Sequence, residues 1–162
     1  MKTGTNNHTG FTIIEVVLVL AIAALIFLMV FVAYPALSRG QRDSQRKADL
    51  GRLTTAVNNY SSNNRGALPS AWNTTFITQY MTTDGDSFID PSGGDTGEDH
   101  YQLTARGEEV PTGSFQENQN TIYYTVGYKC DGDDGASVTA AGSRNVAFRM
   151  VLEGGGTICQ AK

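Results

Sequence analysis

One stretch of sequence decides the fold: residues 10–37 read GFTIIEVVLVLAIAALIFLMVFVAYPAL. Within it, Val16 to Ala33 is a run of 18 residues without a polar side chain. A helix over residues 16–37 would be about 33 Å long at 1.5 Å per residue, enough to cross the hydrocarbon core of a bilayer. A buried core helix explains the run less well, because a chain of 162 residues rarely surrounds so long a helix on all sides. We therefore predict a transmembrane helix.

A cleavable secretory signal also fits this stretch poorly. The apolar part of such a signal usually spans about 7–15 residues and ends at a small-residue cleavage site. Here the run is longer and ends in Tyr34-Pro35-Ala36-Leu37. We expect the apolar helix to remain in the mature protein.

The composition of the chain excludes several classes of protein. The formal net charge is −4, which argues against attraction of phosphate through an overall positive charge, and no nucleic-acid binding is expected. The sequence contains no phosphate-binding glycine loop followed by Lys-Ser/Thr and no Cys-x-x-Cys. The histidines are His8 and His100, too few for a multi-histidine metal site. No motif indicates an enzyme.

One charged residue interrupts the apolar block. Glu15 follows Ile13 and Ile14 and precedes Val16. A carboxylate at bilayer depth costs a few kcal/mol and is a candidate functional group that needs a partner. The same residue can instead cap the helix at headgroup level, where the helix dipole favours an anion. Position alone leaves both interpretations open.

The segment Gly10-Phe11-Thr12-Ile13-Ile14-Glu15, with the apolar run behind it, resembles the class III signal of type IV pilins and pseudopilins. In that family a short polar leader ends in Gly, Phe is the first mature residue, and a Glu follows four residues later. The resemblance implies that a membrane prepilin peptidase cleaves between Gly10 and Phe11 and methylates the new amine of Phe11. It also implies that Glu15 acts in filament assembly.

The resemblance divides the chain into four parts. Residues 1–10 are the cleaved leader, residues 11–37 the transmembrane and filament-core helix, residues 38–65 its amphipathic continuation, and residues 66–162 a globular head. The continuation carries an apolar stripe at helical spacing and has Gly66 as its stop; the stripe is Leu50, Leu53, Val57 and Tyr60.

Strands are predicted in the last third of the chain. Residues 122–129 and residues 146–153 each alternate with period two, and the turn Gly154-Gly155-Gly156 leads into a last strand. One row of each strand is expected to pack on the helix stripe. Trp72, Phe76 and Tyr80 recur every four residues and predict a short helix over the core. The fold class is therefore α+β, a long N-terminal helix packed on a small antiparallel β-sheet head.

Cys130 and Cys159 lie at the ends of the first and last predicted strands. In an exported protein such a pair indicates one disulfide, and pilins similar to this chain close their C-terminal region in that way. A simple meander would place the two Cα atoms about 10 Å apart, beyond the reach of a disulfide. Either the strand order is not a simple meander or the last strand curls over. Free buried thiols are the alternative.

Acidic residues among glycines follow the short helix. Asp84, Asp86 and Asp90 are weak candidates for calcium ligands, since carboxylate oxygens bind Ca²⁺. Their spacing is not that of an EF-hand loop, which favours solvated acidic turns. We expect no other cofactor.

The flanking charges conflict with this topology. The leader contains Lys2, whereas five cations follow the apolar run against Asp43 and Asp49; the five are Arg39, Arg42, Arg46, Lys47 and Arg52. A positive-inside count would place the head in the cytoplasm. The cleavage signal and the cysteine pair favour an exported head.

The resemblance implies a structural subunit of a type IV pilus-like filament. Such a subunit starts as a single-pass protein of the cell membrane. An assembly ATPase and a platform protein then move it into an extracellular homopolymer that supports adhesion or twitching motility. A pseudopilin of a type II secretion system and a minor pilin are the nearest alternatives. A monomeric membrane-anchored binding domain is a third, and it would keep residues 1–10.

Overall fold

The computed structural model describes residues 10–82, 88–93, 100–132 and 135–162. Along the chain come the helices α1 (Ile13–Asn63) and α2 (Thr74–Tyr80), followed by strands β1 (Gln102–Ala105), β2 (Thr121–Val126), β3 (Tyr128–Cys130), β4 (Val138–Ala140), β5 (Val146–Val151) and β6 (Thr157–Ala161). The chain forms two compact units, Met1–Ser38 and Arg39–Lys162. Helix α1 contributes to both.

The first unit contains the apolar part of α1. Its large side chains are exposed; Leu25 is 66% exposed and Phe31 is 77% exposed. An 18-residue window of this helix has a mean hydropathy of 3.3 and none of it is buried. Within the described residues, α1 is the helix that is long and apolar enough to cross a membrane. An apolar surface of this size requires lipid or other protein chains to cover it.

The second unit is an α+β head. Its main sheet has the strand order β1-β2-β5-β6. The pairs β2–β5 and β5–β6 are antiparallel, whereas β1 and β2 are parallel. The predicted fold class is confirmed, but the sheet is mixed rather than purely antiparallel. Residues 106–120 lead the chain from the end of β1 back to the level of its first residue, so β2 runs beside β1 in the same direction.

The predicted stripe of α1 forms the core of the head. Leu50, Leu53 and Val57 have no exposed surface and belong to one cluster with Ile122 and Phe148. Burial of such apolar side chains is the main favourable contribution to the stability of a domain.

The end of α1 is also as predicted. Arg65 and Gly66 adopt φ values of +56° and +85°, and the Gly66 amide donates to the carbonyl of Ser61 at 2.7 Å. A left-handed glycine with this bond is a common helix stop.

The short helix α2 covers one side of the core. The Asn73 side chain caps it by accepting a hydrogen bond from the Phe76 amide at 3.3 Å. Phe76 is buried and its ring stacks on that of Tyr80, with centroids 5.2 Å apart. Trp72 lies before the helix and contacts Phe148 edge to face at 5.5 Å.

Strand β5 is buried on both faces, which the alternation did not predict. Phe148 and Met150 pack in the core, but Ala147 and Arg149 in the opposite row are buried as well. The Arg149 guanidinium donates to the carbonyls of Gly107, Glu108, Glu109 and Ala136 and to the Thr125 hydroxyl. Both rows are buried because these segments cover the second side of the sheet.

A break at Gly127 explains the position of the cysteines. Gly127 has a φ of +86°, and its amide donates to the carbonyl of Asn145 at 2.7 Å. Residues with a side chain rarely adopt this backbone conformation. The single strand predicted over residues 122–129 is therefore wrong: β2 ends before the break, and β3 pairs with β4 in a separate two-stranded sheet.

The predicted disulfide is present. Cys130 of β3 is bonded to Cys159 of β6, with Cα atoms 5.8 Å apart. Of the two arrangements that the sequence left open, the strand order departs from a simple meander. The β3–β4 ribbon leaves the main sheet, so no third strand separates the two cysteines.

Replacing both cysteines by serine is expected to lower the free energy of unfolding by about 3.5 kcal/mol, since the bond closes a loop of about 30 residues. Urea unfolding of the detergent-solubilised protein measures this change through the fluorescence of its single tryptophan, Trp72. The wild type with reductant should match the double variant, which should not respond to reductant. Equal stability of the variant and the oxidised wild type would contradict the expectation.

Candidate processing and assembly site

Thr12 and Glu15 form a reciprocal cap at the start of α1. Thr12 directly precedes Ile13, the first helical residue. Its amide and its hydroxyl both donate to Oε2 of Glu15, at 2.8 and 2.7 Å. The Glu15 amide in turn donates a hydrogen bond to Oγ1 of Thr12 at 3.4 Å. This is the capping box that Thr-x-x-Glu produces at a helix start, and it satisfies amides that have no partner inside the helix.

The structure therefore shows the capping interpretation of Glu15, and the assembly role stays a prediction. The sequence interpretation missed Thr12. The signal that could have found it is the spacing Thr12-x-x-Glu15 directly before an apolar run. Phe11 lies before the first turn of α1.

The predicted cleavage position lies outside the helix. Gly10 and Phe11 have no regular secondary structure, and Phe11 is 90% exposed. A Cβ atom added to Gly10 would meet none of the described residues within 4 Å. Packing among the described residues therefore does not require a glycine at position 10.

A buried ion-pair network holds the head against the other half of α1. Arg46 is fully buried, and its guanidinium donates to both carboxylate oxygens of Asp90, at 2.7 and 2.8 Å. Asp43 accepts a third bond at 2.8 Å, and the ring of Phe115 lies 4.4 Å from the guanidinium carbon. Burial alone would raise the pKa of Asp90, but hydrogen bonds from Arg46 and Ser92 outweigh it and lower the pKa below its ordinary value.

The same network fixes the turn between β5 and β6. Asp43 accepts hydrogen bonds from the amides of Glu153 and Gly154 at 2.9 and 2.7 Å. A Cβ at Gly154 would lie 2.9 Å from Oδ2 of Asp43, so a side chain there would displace either the carboxylate or the turn. Arg42 binds both oxygens of Glu153 and lowers the pKa of that carboxyl group.

One of the three calcium candidates, Asp90, belongs to this ion-pair network. Asp90 already gives both carboxylate oxygens to Arg46. Asp84 and Asp86 lie outside the described residues. Within the part of the chain that the structure describes, no group of three or more His, Cys, Asp or Glu side chains could hold a metal ion. Calcium binding remains a prediction.

A family model described as the prokaryotic N-terminal methylation motif matches residues 5–31. This match confirms the class III signal of type IV pilins that the sequence indicated. No curated protein and no solved structure matches the chain. The motif together with the α+β layout therefore supports a pilin-like or pseudopilin-like protein.

Asp90→Asn is expected to lower the free energy of unfolding by about 3–5 kcal/mol, because it leaves the buried Arg46 charge without its two-oxygen partner. Asp131→Asn, at an exposed side chain, is the matched control and should change it by less than about 0.5 kcal/mol. Chemical unfolding of both variants at neutral pH tests the difference.

The Arg46–Asp90 pair also predicts how the free energy of unfolding depends on pH. A carboxyl group whose pKa is lower in the folded than in the unfolded state stabilises the fold above its unfolded pKa. That stabilisation should be lost as the pH falls below about 4. Asp90→Asn should show a smaller loss over the same range. An identical acid profile of variant and wild type would contradict this role of Asp90.

Proposed function

We propose that the mature chain, beginning at Phe11, is a structural subunit of a type IV pilus-like extracellular filament. The observation that carries the proposal is the methylation motif at residues 5–31, which overlaps a helix whose apolar side chains are uncovered in its own chain. Before assembly the lipid covers these side chains. In the filament the same segment of other subunits does so.

Assembly of this kind requires energy from outside the subunit. Lipid tails are as apolar as the side chains of the helix, so leaving the bilayer gains little from the hydrophobic effect. By the family resemblance, a separate ATPase and a platform protein drive the extraction, after the prepilin peptidase has acted. The subunit starts in the cell membrane and ends on the cell surface.

Glu15 supplies the register that apolar packing lacks. Cleavage creates a cationic amine on Phe11 at the edge of an apolar segment. A cation and an anion are both costly in such surroundings unless they are paired. Pairing between chains offsets that cost when the incoming subunit reaches the correct axial height. The filament then carries adhesion or motility as a property of the assembly.

Mass spectrometry of the native N-terminus tests the processing step. The wild type should begin at N-methylated Phe11, and Gly10→Val should leave the full-length precursor in the membrane without filaments. A Cβ atom at position 10 meets no atom of the described residues within 4 Å, so an effect of the variant would come from the peptidase. Gly40→Val is the matched control, because a Cβ at Gly40 also meets no described residue within 4 Å.

Mature protein from Gly10→Val at the wild-type level would refute the processing step. A wild-type chain that keeps residues 1–10 would favour the monomeric anchored domain. Correct processing without surface filaments in electron micrographs would favour a pseudopilin.

Glu15→Ala is expected to be inserted and cleaved but to enter filaments poorly, because the amine of the neighbouring chain loses its partner. Glu15→Asp should be partly defective, since its carboxylate reaches about one methylene less far. Sheared surface filament, divided by the mature protein in the membrane, measures the effect. Glu109→Ala removes an exposed head carboxylate and should give the wild-type ratio. A wild-type ratio for Glu15→Ala would show that its carboxylate has no role in assembly.

A further inference from the structure

We infer that Thr12 is a positioning residue for Glu15: it holds one carboxylate oxygen so that the other faces the incoming subunit. The inference rests on the proposed function and adds a residue to it. It comes from the way in which the two oxygens of Glu15 are used.

The two oxygens of the carboxylate have different partners. Oε2 accepts both the amide and the hydroxyl hydrogen of Thr12. Oε1 accepts no hydrogen bond within the described residues. The cap therefore occupies one side of the carboxylate and leaves the other side open. An amine from a second copy can bind Oε1 while both bonds from Thr12 stay in place.

The donors of Thr12 are neutral, and this determines what they can do. Two neutral hydrogen bonds satisfy an oxygen and orient it, but they do not cancel the charge of the carboxylate. Glu15 therefore keeps a full negative charge on a fixed axis, and a cation from another chain still gains from pairing with it. Thr12 does not replace the pair between subunits.

Holding the side chain also prevents a competing arrangement. A free glutamate near the end of a membrane helix can turn toward the headgroups, where water solvates the charge. With Oε2 bonded to the Thr12 amide and hydroxyl, the carboxylate stays against the first turn of α1. The incoming amine then meets an ordered acceptor and no additional ordering is needed at the moment of assembly.

Thr12→Val tests this role, because valine has nearly the same shape and lacks the hydroxyl. We expect normal cleavage and methylation, a normal amount of mature protein in the membrane, and a ratio of filament to membrane protein about tenfold lower, the effect of one charged hydrogen bond. Thr12→Ser keeps the hydroxyl and should restore the wild-type ratio. Mass spectrometry, membrane immunoblots and sheared filament yield are measured on the same cells.

Each other outcome has a definite meaning. A wild-type ratio for Thr12→Val would overturn the inference. A lower membrane level with an unchanged ratio would show that Thr12 only caps the helix, and accumulated precursor would assign it to the peptidase; either result also overturns it. Absence of filaments in the wild type would instead refute the proposed function, and the inference with it.

Discussion

The uncovered apolar surface of α1 is the constraint on which the rest of the molecule depends. From Phe11 to Leu37 the large apolar side chains are at least half exposed in the described part of the chain. They require lipid or other protein chains to cover them. The proposed function uses both kinds of cover, the bilayer before assembly and other copies of the helix after it.

Buried acidic side chains of the head are paired with arginines, whereas the acidic side chain of the apolar segment is not. Asp90 is 2% exposed and is neutralised by Arg46 of the same chain. Asp43 and Glu153 also meet arginines of α1. Glu15 has neutral donors as its partners within the chain, so its charge remains. The buried acids Asp43 and Asp90 are thus paired with an arginine of their own chain, whereas the partners of Glu15 among the described residues leave its charge unneutralised.

The features that the sequence predicted are those that depend on neighbours along the chain. The apolar run, the stripe of Leu50, Leu53 and Val57, and the hairpin at Gly154-Gly155-Gly156 follow from local periodicity. The capping box is also local, but it was not recognised because Glu15 was considered without Thr12.

The features that the sequence did not predict depend on contacts between distant segments. Arg46 and Asp90 are 44 residues apart, and nothing near either residue indicates the other. The second face of β5 is buried because the loop after β1 and the β3–β4 ribbon fold over it. Gly127 looked like one more strand residue, since alternation does not show a change of sheet. The pairing of Cys130 with Cys159 was predictable from the sequence. The strand arrangement that brings the two together depends on the break at Gly127.

The pairing of distant charges also bears on the conflict over orientation. The positive-inside count set Lys2 of the leader against the five cations that follow the apolar run. In the folded head, Arg42 and Arg46 are bound by Glu153 and Asp90, which lie far along the chain. The positive-inside rule counts Lys and Arg whether or not acids neutralise them, so these pairs leave the count in conflict with an exported head. Because the Cys130–Cys159 bond requires an oxidising compartment, the disulfide favours a head outside the cytoplasm, in agreement with the class III signal at the N-terminus.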